Sequence, residues 1–208
     1  EITSEKALSA LQENMALYDK NGEQHYDIIS AFIKSIRGSD PNAAVYWLAR
    51  MLVGGEDIKF IARRLVILAS EDIGLANPNA LVVANNCFQA INVIGNPEAR
   101  IILSECAVYL AVSPKSNSTY LAIDEAIAKV KQTGNLPVPL HLRNAPTQLM
   151  KDLDYGKNYQ YAHSHAGNFI DQEFLPTELS GNLFYQPANN ATENKILEEK
   201  KKKWKKYY

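Results

Sequence analysis

The stretch SAFIKSIRGSDPNAAVYWLARML, Ser30 to Leu52, decides the fold class. Ile28, Ile29, Phe32, Ile33 and Ile36 recur at intervals of three and four, which places them on one face of a helix from His25 to about Arg37. Gly38 reads as its stop. Asp40-Pro41 reads as the next start, with a side-chain acceptor at the N-cap and a proline at the first helical position, where its missing N–H costs nothing. The same device recurs at Asn77-Pro78 and Asn96-Pro97, and Gly54-Gly55, Gly95 and Gly134 stand where left-handed C-caps are expected.

Working outward, Ile58, Ile61, Leu65, Leu68, Ala69 and Ile73 keep helical spacing between Asp57 and Gly74, and further helices are expected at about 78–93, 97–112 and 117–133. Segments of this length joined by short loops favour antiparallel neighbours packed as an all-α array. After Gly134 the texture changes. Pro137, Pro139 and Pro146 bar continuous helix, so one short helix from about Pro146 to Leu153 and then irregular, tyrosine-rich chain to about Pro187 are expected. Thr192 to Lys206 reads as a frayed, lysine-rich helix. The expected organisation is a preceding segment at 1–22, a helical domain at 23–187 and a basic tail at 188–208.

At 208 residues, 46% hydrophobic and 22% charged, the chain can bury a substantial core. No apolar run approaches the roughly 18 residues that span a bilayer, and no signal peptide is evident, so a cytoplasmic setting is expected. Cys87 and Cys106 lie within apolar helical patterns and read as small core residues. The formal net charge of −1 conceals an asymmetry: residues 195–208 hold seven lysines and two glutamates.

Catalytic and cofactor chemistry is weakly signalled. No GxxxxGK[ST] loop is present to cradle phosphates, and the nearest string, Tyr155-Gly156-Lys157-Asn158, lacks both the second glycine and the hydroxyl. His141, His163 and His165, with Asp171, are metal-ligand types without a strong metal spacing, and neither cysteine nor Ser70-Glu71-Asp72 has a partnered histidine nearby in sequence. No catalytic, cofactor or metal site is therefore expected. Lys200, Lys201, Lys202, Lys203, Trp204, Lys205 and Lys206 combine phosphate-seeking charge with an aromatic face on which a base can stack, and Arg143, Lys151 and Lys157 form a second basic candidate surface. Tyr46, Trp47 and Met51, with Arg63 and Arg64, are the residue types enriched at subunit contacts.

Four strings occur in one order across residues 20–185: Ser30–Leu52, GGEDIKFIARRLVILASEDIGLANP at Gly54–Pro78, YLAVSPKSN at Tyr109–Asn117, and LPVPLHLRNAPTQLMKDLDYGKNYQYAH at Leu136–His163. Together they resemble the C-terminal region of the RarA/MgsA family of AAA+ ATPases, the bacterial counterpart of the Werner-helicase-interacting ATPase. The resemblance implies an all-α fold akin to the collar domains of clamp-loader subunits, and homo-oligomers, commonly tetramers, that set ATPase modules around DNA. It further implies ATP and Mg²⁺ as cofactors of the full-length protein, single-stranded or fork DNA and replication-fork proteins such as single-strand binding protein as partners, and a nucleoid-associated location. A chain that begins at Glu1 without Met and lacks the phosphate loop is expected to be a C-terminal fragment of such an ATPase. Residues 188–208 follow the family pattern poorly, so DNA contact by the tail rests on its own composition. The competing reading is a free-standing helical adaptor with an apolar groove for a protein partner.

Overall fold

The structure, a computed structural model, describes residues 4, 23–205 and 207; apart from residue 4 the expected preceding segment at 1–22 lies outside the described residues, as do residues 206 and 208 of the expected tail. Among these residues there are eight α-helices and no strand, an all-α architecture as expected. The helices are α1 (Glu23–Arg37), α2 (Pro41–Val53), α3 (Ile58–Leu68), α4 (Asn79–Ile94), α5 (Ala99–Val112), α6 (Ser118–Thr133), α7 (Gln148–Asp152) and α8 (Ala191–Lys203). The chain divides into two compact units, 1–120 and 121–208.

In the first unit α5 is the central element, packing against α1, α2, α3 and α4. Its positions 99, 103, 106, 107, 110 and 111 are all buried, and four of these six are alanine or cysteine, small enough for neighbouring helices to approach closely. Phe32 and Ile36 of α1, Leu48 and Met51 of α2 and Leu65 of α3 fill the core around it. Each such side chain contributes about 1.5–3 kcal/mol by leaving water. Cys87 and Cys106 face each other in this core, where contact with Cys87 and then burial push the Cys106 thiol up.

The ends of the helices follow local chemistry. Asp40 accepts from the N–H groups of Asn42 and Ala43, as its N-cap reading requires. α2 ends with Gly55 at φ 74°, where Glu56 N–H reaches Met51 O and Gly55 N–H reaches Leu52 O, the two bonds of a left-handed C-cap. α1 ends the same way, except that the left-handed residue is Ser39 (φ 63°) and not Gly38. The two other predicted caps are corrected. The Asn77 amide donates to the Tyr109 hydroxyl and Ser113 Oγ, both at 3.0 Å, so it ties two helices together and does not cap α4. Asn96-Pro97 is a cis peptide, and α5 begins only at Ala99 without a side-chain cap.

The helix expected to run unbroken from Asp57 to Gly74 changes winding at Ala69–Ile73, a π-helical turn followed by a 3-10 turn, Gly74–Ala76. Gly74 N–H reaches back five residues to Ala69 O, and Ser116 N–H donates to Asp72 O at 2.8 Å. Gly74 sits at φ 47° with Ser116 O only 3.1 Å from where a Cβ would stand, so glycine is required there. The turn aims Glu71 and Asp72 at Arg37 of α1, with Arg37 Nε 2.5 Å from Asp72 Oδ1. The Asp72 hydrogen bond, with the charges of Asp72 and Glu71, raises the Arg37 pKa against the opposing effect of burial. The π turn thus points both carboxylates toward α1, where Arg37 takes them.

The second unit is mostly irregular, with 3-10 turns at Leu140–Leu142, Ala162–Ser164, Ala166–Asn168 and Thr177–Leu179. Pro137, Pro139, Pro146 and Pro176 bar helix at their own positions, as expected, and in the proline-free stretch between the last two Gly156 and Gly167 turn the chain at φ 72° and 67°. The C-terminal helix, α8, is capped at its start. Asn190 Oδ1 accepts from Glu193 N–H while Glu193 accepts from the Asn190 amide, a reciprocal cap at the start of α8. At the other end Trp204 packs edge-on against Phe169 and Phe174, with centroids at 5.1 and 6.0 Å.

Candidate functional site

The basic candidate residues separate into tied and open groups. Lys201 pairs with Glu198 at 3.8 Å and Lys202 with Glu199 at 2.9 Å, both one helical turn away on α8. Lys203 Nζ meets Gly167 O at 3.5 Å. Lys200 and Lys205 form no ion pair among the described residues. Trp204 is half-buried in the aromatic cluster with Phe169, Phe174 and Tyr207, so it is a built-in wall and not a free tail residue.

Behind this cluster a buried hydrogen-bond frame holds the C-terminal helix. Glu193, fully buried, accepts from the Tyr185 hydroxyl at 3.1 Å, Ala188 N–H at 3.0 Å and the Asn190 amide at 3.0 Å. Glu173 accepts from Phe174 and Leu175 N–H, from Ser180 Oγ and from the Tyr207 hydroxyl at 3.0 Å. Burial, and then the Glu173 carboxylate, push the Tyr207 hydroxyl above its ordinary range, so it remains a donor. Between these elements lies a cavity of about 340 Å³ lined by Phe174, Leu183, Phe184, Tyr185, Lys200 and Trp204, among others.

Of the second basic set, Arg143 is structural. Its Nε donates to Val138 O at 2.7 Å, its Nη1 to the Tyr155 hydroxyl at 3.1 Å, and its guanidinium lies 5.0 Å over the Tyr155 ring. Lys157 pairs with Asp154 at 2.9 Å, and Lys151 is exposed on α7. His141 Nε2 lies 2.8 Å from Glu173 O, while His163 stacks loosely on Tyr161. Among the described residues no group of three His, Cys, Asp or Glu side chains is placed to hold a metal ion.

The proposed contact residues of the first unit also divide. Met51 is fully buried and offers no surface to a partner; it fills the core because it lies on the same face of α2 as Ala44 and Leu48. Trp47 is half-buried under Tyr46 and Arg50, with Tyr46 exposed. Arg63 lies 5.9 Å over Phe60, and neither Arg63 nor Arg64 forms an ion pair among the described residues. A larger apolar surface stands elsewhere, on α6. Tyr120, Ile123, Ile127 and Val130 are 42%, 56%, 45% and 57% exposed, and Ser118 is the only buried residue of that helix. Their spacing of three, four and three was a legible signal of a helix-pairing stripe, one the sequence reading spent on locating a helix.

No helix among the described residues is long and apolar enough to cross a membrane. Comparison with known proteins matches residues 38–205 to the family described as MgsA AAA+ ATPase C terminal, and residues 1–37 to the AAA C-terminal domain. The chain is 48% identical over 190 residues to the Replication-associated recombination protein A of Coxiella burnetii, covering 91% of this chain and 43% of that protein. It is 42% identical over 188 residues to the protein of the same name in Escherichia coli K12, covering 90% and 42%. It is also 42% identical over 186 residues to ATPase WRNIP1 of Dictyostelium discoideum, covering 89% and 21%. The chain thus spans less than half the length of these relatives. With a matched region that takes in the helical core, the α6 stripe and most of the tail helix, this chain belongs to the RarA/MgsA family of AAA+ ATPases, as its C-terminal region.

Proposed function

We propose that this region assembles its ATPase into a homo-oligomer, commonly a tetramer, and contributes a DNA contact to it. The observation that carries assembly is the exposed apolar row of Ile123, Ile127 and Val130 on α6. A second copy of the chain is the simplest cover for it, and a helical domain of this size has room for a standard interface of about 1,600 Å². Sedimentation across a wide concentration range tests this. A free-standing adaptor, the competing reading, would remain a 23.2 kDa monomer.

The longer protein would couple ATP hydrolysis with Mg²⁺ to work on DNA at replication forks, in the cytoplasm on the nucleoid, with replication-fork proteins such as single-strand binding protein among its partners. Its relatives' names, which include recombination proteins and an ATPase, support this reading. The residues of this chain do not fit the nucleotide itself. Lys157, in the nearest approach to a phosphate loop, is held by Asp154, and Gly156 N–H is spent on Leu140 O at 2.8 Å. The purified chain is therefore expected to bind no ATP at micromolar concentrations by calorimetry; binding there would overturn the assignment of the ATPase chemistry to another part of the protein.

DNA contact would rest on the lysines of α8. Lysine–phosphate contacts release counterions, so affinity for single-stranded DNA should fall steeply with salt, with a slope of about −0.7 for each phosphate neutralised. Deleting residues from 198 onward would also remove Trp204 and tear the aromatic cluster, so substitution is the cleaner test. Changing Lys201, Lys202 and Lys205 together to Gln should flatten the salt slope by about 1–2. An unchanged slope would move the DNA contact away from α8.

A further inference from the structure

We propose that the second copy covering the α6 row does so with a different surface, the apolar groove between α2 and α5, so that the chain assembles head to tail. This rests on the assembly reading and adds to it the face that receives α6. The groove holds a cavity of about 410 Å³. Val45, Ala49 and Leu52 of α2 and Ile101 and Ser104 of α5 line it, together with the buried side chain of Leu48. Val45 and Ile101 are 36% and 58% exposed, and Val108 and Val112 continue the Ile101 row along α5 at steps of seven and four. Alanine and serine between larger walls let a further helix approach closely, as ridge-into-groove packing requires.

Spacing and charge both select α6 as the occupant. Ile123, Ile127 and Val130 stand at i, i+4 and i+7, the spacing with which an amphipathic helix anchors in an apolar groove. Arg100 lines the groove beside Ile101; its Nη1 donates to Pro97 O at 2.8 Å, and no carboxylate among the described residues pairs with it. Asp124 is exposed beside Ile123 and forms no ion pair among the described residues either. Seating Ile123 near Ile101 sets these opposite charges at one rim. Two α6 rows laid on each other, the competing arrangement, leave the flanks of both helices in water and the groove bare. Because row and groove are different surfaces, each chain still offers one of them after a first contact, and the assembly grows past a dimer until it closes as a ring.

The test mixes two variants that each lack one half of the contact. Ile101→Glu spoils the groove, and Ile123→Glu with Ile127→Glu spoils the row; all three positions are about half exposed, so the helical signal in circular dichroism should not fall. Alone, each variant is expected to sediment as a single chain of 23.2 kDa. Mixed in equal amounts, they should form a dimer and nothing larger, since the pair holds one intact groove and one intact row. In otherwise unaltered chains, Arg100→Asp and Asp124→Arg should each weaken assembly about 10-fold, and the two together should restore it. An Ile101→Glu chain that assembles like the parent, while the α6 variant does not, would overturn the groove and leave α6 standing. A mixture that stays monomeric beside a parent that assembles would do the same. A parent chain that is monomeric at every concentration would remove the groove and the assembly reading together. The charge swap leaves every apolar side chain in place, so it decides even where Ile101→Glu loosens α5.

Discussion

With α6 as the proposed assembly surface, replacing Ile123 and Ile127 together by glutamate is expected to leave the chain a monomer at every accessible concentration. Both side chains stand about half exposed in the middle of the α6 stripe, where a second copy would cover them. Burying an isoleucine contributes about 1.5–3 kcal/mol, so the loss of two removes about 3–6 kcal/mol before the cost of burying two carboxylates is counted. That corresponds to a dissociation constant raised by about two to four orders of magnitude. Glutamate is a good helix former, so α6 itself should survive and the helical signal in circular dichroism should not fall. Leu121, equally exposed but on the opposite side of α6, provides the control, since Leu121→Glu should leave the mass unchanged. An oligomer that persists in the double variant, or a parent chain that sediments as a monomer throughout, would rule out α6 as the assembly surface.

The second large effect lies at Glu193. Removing its carboxylate with Glu193→Ala leaves the Tyr185 hydroxyl, the Ala188 N–H and the Asn190 amide without their acceptor, in a place from which water is excluded. Hydrogen bonds to a charged group contribute about 1.5–3 kcal/mol each, and stranded donors add to the cost, so a loss of about 3 kcal/mol in the second unit is expected. Hydrogen exchange should accelerate by about two orders of magnitude over residues 185–204 while α1 to α5 keep their protection. Glu193→Gln, which retains one acceptor oxygen, should lose distinctly less. Unchanged exchange in Glu193→Ala would mean that α8 is held by the aromatic cluster around Trp204 alone. Loss of protection would also link this buried carboxylate to the cavity beside α8, because Tyr185 and Trp204 form part of its wall.

Much of the first unit was legible in the chain itself. The Ile28–Ile36 face, the Asp40 cap and the Gly55 stop depend on residues within about five positions of one another, and helical periodicity and capping chemistry act over that range. The break after Gly134 was equally local, since each proline bars helix by its own geometry. The π turn at Ala69–Ile73 was not legible, because its apolar residues keep a helical pattern and only the pull of Arg37 and the Ser116 N–H on Asp72 marks the change of winding.

The candidate site divides along the same line. Lysine charge and aromatic character near the C-terminus were visible in the composition of residues 200–208, and family membership followed from the long ordered strings of the sequence. Which lysines are open, which are held by Glu198 and Glu199, and that Trp204 is a wall of a cavity with Phe174 and Phe184 required the tertiary structure. The same holds for Met51, a surface candidate by residue type but a core side chain by packing, and for α6, an ordinary amphipathic pattern until its apolar face is found uncovered. The physical reason is one of range. Helix, cap and breaker preferences are decided by neighbours a few residues apart, whereas burial and pairing are decided by side chains thirty or more residues away in sequence, such as Arg37 with Asp72 and Trp204 with Phe174.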